Sequence, residues 1–203
     1  MGLPAQHNVE RALELAWESV ARLSLENACP RAGAKFLGEG RAAVRMLGVD
    51  YTIDVSARGV VDAAGQPAKP KRQVLMLHYL LTADGCEPAG REVGFDGVGG
   101  ASTYIGPFRE RVVNRLVSAL GAEPQLLIER GGRLDGEVVG YGDAAMRFPV
   151  LPRVPITAIL WRGDDELPPS GQILFDAGIT GYLPLEDIVV ASEMLVGELS
   201  RSA

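Results

Sequence analysis

The chain has 203 residues, of which 47% are hydrophobic and 23% are charged. This composition excludes wholesale disorder and suits a domain with a core of its own. The formal net charge of -6, without a basic run, argues against a protein that binds nucleic acid. The two cysteines, Cys29 and Cys86, are too few for an iron–sulfur cluster or an all-thiolate zinc site within one chain.

The start of the chain lacks a basic segment followed by an apolar one, so we expect no signal peptide. No apolar run approaches the ~20 residues that a membrane-spanning helix needs. We therefore expect a cytoplasmic protein that contacts no membrane, with a small molecule or another protein as its partner. Residues 1–203 are expected to form a single domain, and the sequence leaves the oligomeric state open.

The first elements in chain order are expected to be helices, within residues 8–37. Asn8 can cap a first helix, and apolar residues behind it recur every three or four positions, as on one helix face. A second helix is expected to start near Pro30, because proline is tolerated at a first helical position. Gly38 and Gly40 are expected to end that helix.

Strands are expected next. Residues 49–55 alternate between apolar and polar, which predicts a half-buried strand, and residues 60–61 form a short return strand after a turn. Glu92–Phe95 is a further short strand. Together with the C-terminal elements, these predict an α+β fold, in which a mostly antiparallel sheet is packed by about four to six helices.

Residues 74–81 are apolar all round, and their good helix formers favour a buried helix over a strand. This run contains His78 and Tyr79. A histidine buried here needs a hydrogen-bond partner, and two interpretations stay open. His78 is either a satisfied core residue or a ligand or catalytic group.

A glycine-rich loop at residues 96–102 precedes a helix that starts at Ser102 or Pro107. Such a loop can present backbone N–H groups to an anion, although it matches neither the P-loop nor the dinucleotide fingerprint, and an ordinary turn is the alternative. The candidate cofactor-binding residues are His78, Tyr79, Gly97, Gly99, Gly100, Tyr104 and Arg109.

The C-terminal block, residues 144–200, is predicted to form a strand, a turn, a strand and a helix. Strands are expected at 154–161 and 173–175, and the last helix begins near Pro184. Close carboxylates can bind a hard cation or divide into a general acid and base, whereas their structural alternative is to cap turns. The candidate metal ligands are Asp164, Asp165, Glu166 and Asp176.

The order of segments 140–143, 151–155, 161–169, 173–176 and 182–187, with similar stretches at 78–80 and 99–109, resembles an uncharacterised conserved family. That family is a domain of unknown function found mainly in anaerobic bacteria and archaea. The resemblance implies a setting in corrinoid and one-carbon metabolism, but no catalytic residue. Some members carry an appended iron–sulfur domain, from which this chain departs.

Three functions follow as hypotheses. The first is a cofactor- or small-ligand-binding protein, with a tetrapyrrole or corrinoid as a candidate, because a neutral histidine in an apolar pocket is a common axial ligand. The second is a metal-dependent acid/base enzyme that uses the clustered carboxylates. The third is an accessory subunit that acts through a protein interface. The first is favoured, and whether the protein is an enzyme stays open.

Overall fold

The computed structural model describes residues 4–201 and the side chains of residues 8–201. A π-helical turn, Arg109–Val113, joins two α-helical segments, so this part of the chain holds six continuous helices. The α-helical segments are α1 (Pro4–Val20), α2 (Leu25–Arg31), α3 (Pro70–Thr82), α4 (Ile105–Phe108), α5 (Asn114–Leu120), α6 (Gln125–Gly131) and α7 (Leu185–Leu199).

The strands form two sheets in which all neighbours are antiparallel. The strands are β1 (Lys35–Gly38), β2 (Arg41–Met46), β3 (Val49–Asp54), β4 (Gly59–Asp62), β5 (Glu92–Gly94), β6 (Glu137–Val138), β7 (Ala144–Leu151), β8 (Val154–Trp161) and β9 (Ser170–Asp176). The first sheet has the order β1-β2-β3-β4, and the second has the order β5-β9-β8-β7-β6. The predicted α+β class is confirmed, with the strands divided between two sheets.

The N-terminal boundaries differ from the prediction. Helix α1 begins at Pro4, whose fixed φ suits a first helical residue, so Asn8 lies inside the helix. Helix α2 begins at Leu25 and contains Pro30 in its last turn. Gly38 and Gly40 end no helix, because both have positive φ values in the tight turn of the β1–β2 hairpin.

Elements with a strong pattern are confirmed. Residues 49–54 of the alternating stretch form β3, and the run at 74–81 lies in α3. The C-terminal block has the expected strand, turn, strand and helix as β8, β9 and α7. None of the helices in residues 4–201 is long and apolar enough to cross a membrane.

A single cluster of buried apolar residues runs through both sheets and the helices around them. The two sheets meet where the Leu47 N–H, at the end of β2, donates to the Val150 carbonyl of β7 at 3.2 Å. Phe148 and Leu195, both fully buried, contribute to the cluster from β7 and α7. This shared core fixes the position of α3, α5 and α7 around the second sheet.

Strand β5 covers only part of β9, and this difference creates an open sheet edge. The last β5 residue, Gly94, pairs with Leu174, whereas β9 begins four residues earlier at Ser170. The Ala177 N–H donates to the Arg91 carbonyl, and bonding direction alternates along an antiparallel strand. The backbone groups of Gly171 and the N–H of Ile173 therefore point to the edge beyond the end of β5.

Candidate functional site

A groove of about 910 Å³ lies between this open edge of β9 and the helical segment from α4 to α5. Its volume is within the ~300–1,000 Å³ of small-molecule sites in proteins. Helix α5 approaches the strand closely, since a side chain at Gly171 would lie 2.9 Å from Val117. The groove therefore depends on β5 ending early and on a glycine opposite α5.

The groove has an aromatic wall formed by Phe95 and Phe108. Their rings are stacked, with centroids 3.9 Å apart and planes 5° apart. Phe175 packs against the edge of this pair, with its centroid 5.9 Å from that of Phe108. All three side chains are buried. Phe95 and Phe108 line the groove, so its wall is apolar at this point.

Polar side chains line the groove on both of its sides, around the aromatic wall. Helical residues contribute the side chains of Arg109, Asn114 and Ser118, and β9 contributes Gln172. Asp96, from the turn after β5, adds one carboxylate. A few directed polar groups around an apolar surface are the usual composition of a ligand site.

Arg109 differs from its neighbour on the same turn. The Arg111 Nε atom is 2.5 Å from Glu193 Oε1 on α7, whereas Arg109 forms no ion pair within residues 8–201. Both residues belong to the π-helical turn Arg109–Val113, a rare conformation that is frequent at functional sites. The π turn therefore presents an unpaired guanidinium at the groove.

In the predicted glycine-rich loop, residues 96–102, Asp96 lines the groove and the glycines do not. Gly97 ends a 3₁₀ turn, and Gly99 and Gly100 are exposed. Tyr104 precedes α4 and is half-buried. Of the residues predicted in this region, Arg109 is the one that lines the groove.

His78 has a hydrogen-bond partner on another helix. Its Nδ1 atom is 2.7 Å from Oδ2 of Asp187, in the first turn of α7. The Asp187 hydrogen bond raises the pKa of His78, and burial acts in the opposite direction. The other ring nitrogen, Nε2, has no hydrogen-bond partner in residues 8–201, and the side chain is 31% exposed.

Tyr79 lies in a different cluster from the groove. Its hydroxyl donates to the Ala32 carbonyl and accepts the Arg153 N–H at 3.1 Å. Its ring centroid is 6.1 Å from that of Tyr182. Burial raises the pKa of Tyr79, so the hydroxyl stays protonated and links α2, α3 and the β7–β8 turn. Sequence reasoning missed Arg153 and Tyr182, because no motif connects them to Tyr79.

The candidate metal ligands lie in two separate places. Asp164 Oδ1 accepts the N–H groups of Glu166 and Leu167, which lower the pKa of the carboxyl. Asp165 is exposed in the same turn. These contacts are those of turn capping. In the part of the chain that the structure describes, no three His, Cys, Asp or Glu side chains are grouped to hold a metal ion.

Asp176 has a structural role at the end of β9. Its Oδ1 accepts the N–H groups of Ala89 and Gly178, and its Oδ2 accepts that of Gly90, each at 2.8 Å. The side chain is 7% exposed. One buried carboxylate thereby ties the segment before β5 to the turn after β9.

Comparison with known proteins identifies a family. No curated protein and no solved structure matches the chain. A family model described as "Domain of unknown function (DUF3786)" matches residues 24–198, a range that includes the groove, His78 and Asp187. Because this match spans most of the sequence, the chain belongs to the DUF3786 family of domains of unknown function.

Proposed function

We propose that this protein binds a small organic anion, a cofactor or a metabolite, in the groove between β9 and α5. The observation that carries the proposal is the unpaired Arg109 guanidinium beside the stacked rings of Phe95 and Phe108. An arginine without a protein carboxylate can form a bidentate contact with a carboxylate, sulfonate or phosphate. The adjacent aromatic wall suits an apolar ring or chain on the same ligand.

The remaining polar groups of the groove would orient such a ligand. Asn114 and Gln172 offer amide donors and acceptors from opposite sides. The backbone groups of Gly171 and the N–H of Ile173 at the edge of β9 add fixed hydrogen-bonding positions. The setting that we propose for the ligand is the corrinoid and one-carbon metabolism of anaerobic organisms, which the family resemblance implies.

The probe for this proposal is 1-anilinonaphthalene-8-sulfonate, an aromatic sulfonate that combines the two features of the expected ligand. We expect the folded protein to bind the dye and Arg109→Gln to weaken binding about 10- to 100-fold, as for the loss of one charge-assisted contact of ~1.5–3 kcal/mol. The dissociation constant is measured by fluorescence titration.

The matched control is Arg115→Gln. Arg115 lies on the following helix outside the groove, so this variant has the same net charge and should bind the dye as the unmodified protein does. Near-UV circular dichroism verifies that each variant is folded. Equal affinities of the Arg109 and Arg115 variants, or no binding by the unmodified protein, would contradict the proposal.

A second candidate is a tetrapyrrole or corrinoid held by His78. The observation that favours it is the His78–Asp187 hydrogen bond, because histidines that ligate metals usually donate their other ring N–H to such a partner. His78 Nε2 would be the axial ligand, and the bound group would supply metal-centred redox or group-transfer chemistry. His78 does not line the groove, so the two candidates have separate sites.

This candidate predicts a pH-dependent absorbance after incubation with haem or cobalamin. Protonation of the imidazole competes with the metal, and Asp187 raises the pKa of His78 above its ordinary 6.5. The ligand-bound spectrum should therefore be stronger near pH ~8 than near pH ~6. His78→Ala should abolish it, and His7→Ala should not. An unchanged spectrum in His78→Ala would exclude His78 as the axial ligand.

A further inference from the structure

Two side-chain atoms of residues 8–201 are buried without a hydrogen-bond partner: the Tyr182 hydroxyl oxygen and the Arg153 Nη1 nitrogen. The Tyr182 side chain is among the largest fully buried ones, at 2% exposure. Buried polar groups nearly always have a partner in proteins. The Tyr182 hydroxyl lacks a partner, and Arg153 Nη1 has only its ion pair with Glu87, so a further polar group could bind both donors in place of Glu87.

The two atoms belong to one cluster. Burial raises the pKa of Tyr182, and the nearby Arg153 guanidinium acts in the opposite direction. Arg153 lies in the turn between β7 and β8, where its backbone N–H is bonded to the Tyr79 hydroxyl. The Tyr79 and Tyr182 rings are in turn neighbours. Arg153 and Tyr182 are thus held together by buried side chains.

Glu87 occupies the outer side of this cluster. Its Oε1 atom is 2.6 Å from Arg153 Nη1, but the atoms lack the geometry of a hydrogen bond. The Glu87 side chain is 81% exposed. The Arg153 side chain is only 21% exposed, so the carboxylate is the solvated partner of this pair, and an anion from solution can replace it.

Glu87 lies on a segment that is fixed at both ends and free of regular structure between them. At one end, the Asp84 N–H donates to the Gly181 carbonyl at 3.0 Å. At the other end, Ala89 and Gly90 donate to Asp176. The intervening residues 85–88 contain no helix or strand, so Glu87 can leave Arg153 while both anchors stay in place.

We propose that Arg153 and Tyr182 form a second binding site, for the carboxylate or phosphate group of a small molecule, and that Glu87 occupies this site until the ligand displaces it. The guanidinium supplies charge and paired N–H donors, and the tyrosine hydroxyl supplies a further donor. The site is independent of the groove, which neither residue lines.

The test uses inorganic phosphate and acetate as separate probes of the full chain. Each is titrated while the NMR signals of the Arg153 backbone amide and Nε–H are followed. Glu87→Gln removes the competing carboxylate and keeps its shape, so the variant should bind at least one probe about fivefold more tightly than the unmodified protein. Tighter phosphate binding assigns a phosphorylated ligand, and tighter acetate binding assigns a carboxylate.

Three further variants separate this site from a general effect of charge. Glu166→Gln removes an exposed carboxylate elsewhere and should leave both affinities unchanged. Arg153→Gln, combined with Glu87→Gln, should abolish binding. Tyr182→Phe in the same background removes a single oxygen and should weaken binding several-fold even if the Arg153 variant is unstable. Unchanged affinity in Glu87→Gln, or full binding after loss of the Tyr182 hydroxyl, would overturn the proposal.

Discussion

Phe108→Ala is expected to lower the free energy of unfolding by about 3–5 kcal/mol, the usual range for a buried phenylalanine replaced by alanine. Phe108 is 3% exposed and contacts both Phe95 and Phe175 through its ring. Removing the ring leaves a cavity in the wall of the groove, where the α4–π–α5 segment packs on the second sheet. Equilibrium unfolding in urea measures the change.

The matched control for this prediction is Phe36→Ala. Phe36 is 39% exposed on the edge strand β1. Phe36→Ala should therefore lower the free energy of unfolding by less than about 1 kcal/mol. Phe108→Leu should lie between the two, because it keeps most of the buried volume. If Phe108→Ala is no more destabilising than Phe36→Ala, the packing described for the groove wall is wrong.

Asp176→Ala is expected to lower the free energy of unfolding by about 3 kcal/mol, because three backbone N–H groups lose a charged acceptor. Water can reach two of them, on the exposed residues Ala89 and Gly90, which limits the loss. The variant should also increase hydrogen exchange of these two amides, since they become detached from β9. Chemical denaturation and amide exchange together measure both effects.

Asp164→Ala is the matched control for Asp176, because Asp164 also accepts backbone N–H groups but lies in an exposed turn. Asp164→Ala should lower the free energy of unfolding much less than Asp176→Ala does, because water replaces the lost acceptor. Equal effects of the two alanine variants would contradict the anchoring role assigned to Asp176.

Local patterns predict much of this fold. Residues 49–55 have the alternation of a strand, residues 154–161 have the composition of a strand, and residues 74–81 have the composition of a helix. Each is confirmed. The sequence does not predict the β1–β2 hairpin, because Gly38 and Gly40 suit the end of a helix as well as a hairpin turn. Short strands with few β-branched residues leave such ambiguities open.

The candidate sites depend on contacts between residues far apart in the sequence. The sequence predicts that a buried His78 needs a hydrogen-bond partner, but Asp187 is 109 residues away, so no local pattern connects the two. The groove exists because β5 ends at Gly94 while β9 extends to Ser170. Amino-acid composition does not place the ends of two strands to within a few residues. The sequence identifies Arg109 as a candidate, but only the structure shows that its guanidinium forms no ion pair within residues 8–201.

The central claim is that the groove between β9 and α5 binds small organic anions. Its most direct test is a ¹H–¹⁵N NMR titration of the folded protein with the aromatic sulfonate used above. We predict that the largest shifts occur at the backbone amides of Gly171 and Ile173, the Asn114 side-chain amide and Arg109 Nε–H. Shifts centred instead on His78 and Asp187, or no shifts at saturating dye, would contradict the claim.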